Sequence, residues 1–172
     1  ILSLFTEVIE DFNPDLVLVH GDTATTAASS LAAYFCKTKV AHIEAGLRTG
    51  NMYSPWPEEG NRKLVGGLAE FHFSPTIMAS QNLINEGVDE SKIFITGNTV
   101  IDSLFLAIEV LDTNKNLYSE LEEKYAYLDS AKRLILVTGH RRENFGDGFF
   151  DICSALAKLN KNNDDIQIIY PV

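Results

Sequence analysis

Four short stretches combine chemically capable side chains with breaks in apolar runs: HGDTATT at 20–26, HIEAGLRTGNMYSPWPEEGNRK at 42–63, GNT at 97–99 and TGHRREN at 138–144. Asp22, Glu44 and Glu58 offer carboxylates for general acid or base work. His140, followed by Arg141 and Arg142, offers a histidine and cations suited to a diphosphate. Each group also has a commonplace use. Asp22 stands between a strand and a helix, where an N-cap is worth about 1 kcal/mol. Glu58 and Glu59 are spaced for i,i+4 pairs with Arg62 and Lys63, each worth roughly 0.3 kcal/mol. Glu44 follows directly on a buried strand, where an unpaired carboxylate is expensive. Arg48 reads as a ligand or an ion-pair partner. Tyr53 and Trp56 are placed either to stack on a sugar or base or to plug the loop. His20, His42 and His72 lie in or at the ends of apolar strands, and read as satisfied core histidines.

The elements that must position these groups follow from periodicity. Apolar residues at helical spacing predict a helix over 1–12, stopped by Asn13-Pro14. LVLVH at 16–20 is a continuous apolar run, as expected of a strand buried on both faces. Further helices are predicted at 23–36, from Pro57 onward, at 76–86, 100–112 and 148–160. Further strands are predicted at 39–43, 71–74, 92–96, 133–138 and 166–170. This βαβα alternation implies an α/β fold, with parallel sheets carrying helices on both faces. Residues 113–132 are polar with a helical middle, and read as a connector. The chain therefore divides into the second half of one Rossmann-like domain (1–112), the connector, and the start of another (133–172). An opening without Met or cap suggests a beginning inside a larger protein.

Composition narrows the function. Acidic residues outnumber basic ones 24 to 14, a formal charge of −10 that disfavours nucleic acid as a partner. No apolar run is long enough for a membrane span. Cys36 and Cys153 sit in apolar helical contexts and read as buried thiols in a cytoplasmic protein. No G-x-G-x-x-G follows a strand, there is no P-loop and no Cys/His zinc spacing. Neither a cofactor nor a metal is expected. A hydrophobic share of 45% is enough to build a core.

Taken together and in order, HGDTATT, HIEAGLRTGNMYSPWPEEGNR, TGNTVIDSL and VTGHRRENFG resemble the non-hydrolysing UDP-N-acetylglucosamine 2-epimerases. The resemblance implies two Rossmann-like domains in the GT-B arrangement, present here only in part, with UDP-N-acetylglucosamine in the cleft. It implies catalytic roles for Asp22, Glu44, Glu58 and His140. It implies substrate contacts from Asp22, Glu44, Arg62, His140 and Arg141. It further implies a homodimer for the full-length protein and little activity from these 172 residues alone. The chemistry would be loss of UDP with removal of the C2 proton, then re-addition with the proton returned from the other face. A GT-B glycosyltransferase or a non-catalytic nucleotide-sugar sensor would use the same cleft. Turnover of the nucleotide sugar without an acceptor separates the three.

Overall fold

A computed structural model describes residues 1–139 and 146–171, which form two compact units, Ile1–Leu106 and Ala107–Val172. The first holds α1 (Leu2–Phe12), β1 (Leu16–His20), α2 (Ala24–Phe35), β2 (Lys39–Ile43), α3 (Glu58–Leu68), β3 (Phe71–Ser74), α4 (Ile77–Asn85) and β4 (Ile93–Ile95). The division falls inside α5 (Thr99–Thr113). The second holds α6 (Lys115–Lys124), β5 (Arg133–Leu136), α7 (Asp147–Asn162) and β6 (Ile166–Ile169).

In the first unit the strands are parallel and lie in chain order, β1-β2-β3-β4. Every crossover thus steps the same way, and right-handed crossovers in one direction place their helices on one face. α1, α2 and α3 accordingly pack side by side, and Leu83 of α4 reaches toward Gly66 of α3. The expectation of helices on both faces is corrected: among the described residues the order never reverses. The other face carries Leu18 and the phenylalanines Phe71, Phe73 and Phe94; the Phe94 ring meets those of Phe71 and Phe73, and Leu18 and Phe94 stay exposed.

The core lies beneath the helices, built from Ile9, Val19, Ala32, Ala33, Val40 and Val65. Each fully buried valine or isoleucine contributes about 1.5–3 kcal/mol of burial. Ala32 and Ala33, completely buried, are small enough for α2 to sit tightly between α1 and α3. Thr23 caps α2, its Oγ1 accepting from Thr26 N at 3.2 Å, and Asn13 ends α1 in the left-handed conformation. α3 starts at Glu58 with Pro57 as its N-cap, one residue later than expected.

In the second unit β5 and β6 pair in parallel with α7 crossing between them. Cys36 packs against the core but is only partly buried, short of the buried thiol expected. Cys153 is exposed, which corrects its reading as a buried thiol: α7 meets only a two-stranded sheet and buries none of its residues.

Candidate active site

β1 and β2 end together, His20 level with Ile43, and Gly21 N donates to Ile43 O at 3.0 Å. Asp22 and Glu44 thus leave neighbouring strands at the same carboxyl-terminal edge, where ligands of parallel sheets bind. Gly21 turns the chain at φ +70°, and a Cβ there would lie 3.5 Å from Glu44 Oε2. Glu44 itself sits at φ +66°. That left-handed conformation costs a non-glycine residue roughly 1–2 kcal/mol, and such strain collects at functional sites. Two bonds hold it in place from either side: Gly21 N to Ile43 O, and Ala45 N to Phe73 O at 3.0 Å. Gly46 follows at φ +87°, where a Cβ would collide with the carbonyl of Ala79. No larger residue fits there.

Asp22 is not the N-cap of α2, because Thr23 takes that place. Its carboxylate turns instead to α3: Arg62 Nε donates to Oδ2 at 2.8 Å and Nη2 lies 2.6 Å from the same oxygen. Asn61 Nδ2 donates to the Asp22 carbonyl at 2.7 Å. The i,i+4 pairs expected on α3 are corrected as well. Arg62 bridges Asp22 and Glu59, the latter at 3.3 Å, and Lys63 lies 3.6 Å from Glu86. Asp22 and Glu86, on other elements, take the two cations, and Arg62 keeps only an i,i+3 contact on its own helix. Glu58 lies in the first turn of α3, where the helix dipole favours a carboxylate. Its Oε2 is buried with no hydrogen-bond partner. A carboxylate oxygen left in that condition is costly, and a ligand group is the kind of partner that would relieve it.

His20 was expected in the core but is about half exposed, with Nε2 3.4 Å from Glu44 Oε2. The end of β1 points out at the site edge rather than under the helices. His42 and His72 are buried, each 1% exposed, yet each leaves Nδ1 unpartnered. His42 Nε2 donates to Gly21 O at 2.7 Å, and burial holds its pKa down at about 4, so it is a neutral brace. Burial likewise lowers the His72 pKa. Arg48 proves to be an ion-pair partner, gripping Glu86 with Nε at 2.9 Å and Nη2 at 2.7 Å. That bond is the largest of the causes holding Glu86 below the usual carboxylate range. Tyr53 and Trp56 are exposed, so neither plugs the loop. His140 and Arg141 lie outside the described residues.

Sequence reasoning passed over Asn61, and it gave His42 and Glu59 only commonplace uses although both organise this edge. Glu59 falls at i, i+3 and i+7 with Arg62 and Gly66, an inward stripe that could have betrayed it. A cavity of about 660 Å³ lined by Lys63, Gly66, His72, Glu86 and Lys92 lies toward the amino-terminal ends of β3 and β4. It is at the wrong end of the sheet for the carboxylates. Among the described residues no group of three His, Cys, Asp or Glu could hold a metal, and no helix is long and apolar enough to cross a membrane.

Comparison with known proteins places the whole chain in a family. A family model described as UDP-N-acetylglucosamine 2-epimerase matches residues 1–172. The chain is 55% identical over 172 residues to the UDP-N-acetylglucosamine 2-epimerase of Escherichia coli (strain K12), covering 100% of this chain and 46% of that protein. The UDP-GlcNAc 2-epimerase of Neisseria meningitidis, solved bound to UDP-GlcNAc, superposes with a TM-score of 0.95 at 45% identity, over 99% of this chain and 46% of that one. The Methanocaldococcus jannaschii enzyme, solved with UDP-GlcNAc and UDP, gives 0.81 at 33% identity, over 99% and 46%. The chain spans about half the length of the curated relatives it matches.

Proposed function

Because the chain belongs to the UDP-N-acetylglucosamine 2-epimerase family, α/β proteins of GT-B type, we propose that it takes part in epimerising UDP-N-acetylglucosamine at C2 to UDP-N-acetylmannosamine. The observation that carries the reading is the meeting of Asp22, strained Glu44 and the α3 turn of Glu58 at one sheet edge, with Arg62 of α3 holding Asp22.

The C2 hydrogen of this sugar is not α to a carbonyl, so no carboxylate can remove it directly. Departure of UDP from C1 solves that. The C1–O bond breaks with its electron pair going to the diphosphate, C1 gains positive character, and the C2 proton becomes acidic. A carboxylate takes that proton, and the C–H electrons form the C1=C2 bond of a glycal-type intermediate. UDP then re-adds at C1 while a second carboxyl group, present as its acid, protonates C2 from the opposite face and is left as the carboxylate. This requires acid and base on two faces of one sugar. Asp22 and Glu44, on neighbouring strand ends, and Glu58, arriving from α3, are the groups assigned to it. We assign His140 and Arg141 to the diphosphate, where cations stabilise the departing charge. Arg62, given a substrate contact by resemblance, is better supported as the clamp of Asp22, since its guanidinium is already shared between two carboxylates.

On this reading residues 1–112 and 133–172 belong to two Rossmann-like domains joined by 113–132, and the working protein is a cytoplasmic homodimer. The test is to incubate the complete polypeptide bearing these residues with UDP-N-acetylglucosamine, without acceptor, after dialysis against chelator. Conversion to the C2 epimer is expected. Release of sugar, or dependence on an acceptor, NAD or a divalent ion, would refute it.

A further inference from the structure

Glu59 is wholly buried, beside a candidate catalytic carboxylate on the same turn. A buried charge persists only where its lone pairs and its charge are met. Three donors meet them. Thr49 N reaches Oε2 and Gly50 N reaches Oε1, both at 3.1 Å, and Arg62 Nη1 reaches Oε2 at 3.3 Å. Burial alone would raise its pKa, but these bonds outweigh it and the carboxyl is held below its usual range. The remaining nitrogens of Arg62 are spent on Asp22. One guanidinium, with only 14% of its side chain exposed, therefore spans two carboxylates. Asp22 is the one at the sheet edge, and Glu59 is the one sealed away. The same Glu59 ties the loop at Thr49–Gly50 to the first turn of α3, which carries Glu58. It thus touches both supports of the site without itself being open to a sugar.

We propose that Glu59 is a positioning residue for the epimerisation: it fixes Arg62, and Arg62 fixes the Asp22 carboxylate against the substrate. This rests on the function proposed above. A buried anion that orients a guanidinium makes a geometric contribution, and a misplacement of about 1 Å can cost about 100-fold in rate.

The test uses the complete polypeptide and compares wild type, Glu59→Gln and Arg62→Lys for kcat, KM and thermal stability. Glutamine retains shape but loses the charge that orients Arg62. A lysine ammonium cannot hold both carboxylates. Both variants should lose at least about tenfold in kcat, with KM within about threefold of wild type. A folded Glu59→Gln enzyme with wild-type kcat and only reduced stability would overturn the proposal, leaving Glu59 a loop tie. Should Glu59→Gln not fold, Arg62→Lys decides: a loss confined to KM would make Arg62 a substrate ligand and overturn it. A wild type that does not invert C2 overturns the functional reading with it. An active wild type with an unaffected Glu59→Gln overturns this proposal alone.

Discussion

Acidification should loosen the fold through His42, and the size of the effect can be worked out. Its side chain is 1% exposed, and Nε2 donates to Gly21 O at 2.7 Å. Burial, the leading cause, lowers its pKa from 6.5 to about 4. Between those values the unfolded chain binds a proton that the folded chain refuses. The stability is therefore fully present above pH 6.5 and drains away as pH falls toward 4. Each pH unit in that window is worth about 1.4 kcal/mol, so moving from pH 7.5 to 5 should remove about 2 kcal/mol. Other groups titrate too, so the quantity to measure is a double difference. Urea unfolding of wild type and His42→Gln, followed by circular dichroism at both pH values, isolates the histidine. Glutamine can still donate to Gly21 O but does not titrate. The stability advantage of wild type over the variant should shrink by about 2 kcal/mol at pH 5. His72 and the carboxylates, common to both proteins, cancel. Parallel losses would refute the argument and mean that His42 protonates as easily folded as unfolded.

Two backbone predictions follow from the Glu44 turn. Glu44→Gly should abolish epimerisation yet cost no stability, gaining up to about 1 kcal/mol as left-handed strain is relieved; chemical denaturation together with the activity assay checks both. Gly46→Ala should destabilise by about 2 kcal/mol or more, because its Cβ meets the Ala79 carbonyl at a positive φ, and a melting temperature near wild type would contradict that.

Much of this was legible in the sequence, for definite reasons. Apolar runs such as LVLVH and KVAHI form parallel strands as expected, although β1 is not buried on both faces, since Leu18 stays exposed, and the breaks after them fall at one edge. The gathering of Asp22 and Glu44 followed from that alone. What local spacing could not supply was the choice between competing partners. Arg62 is four residues from Glu58 and three from Glu59, but its strongest bonds go 40 residues back to Asp22. Thr23 and Asp22 are both good N-caps, and the hydroxyl won because Arg62 had claimed the carboxylate. His20 closes β1 at the predicted residue, but its side chain lies half exposed at the site edge rather than in the core. The one-sided helix layer depends on strand order, which no window of sequence reveals. The strain at Glu44 was equally invisible, since it belongs to a residue type that ordinarily avoids such angles.

The central claim is that carboxylates at this edge remove the C2 proton and return another from the opposite face. The most direct measurement is epimerisation by the complete polypeptide in deuterated water, with C2 read by proton magnetic resonance. The account predicts UDP-N-acetylmannosamine bearing solvent deuterium at C2, and loss of both inversion and exchange in Asp22→Asn, Glu44→Gln and Glu58→Gln. Inversion that keeps the original C2 hydrogen, or exchange undiminished in all three variants, would contradict it.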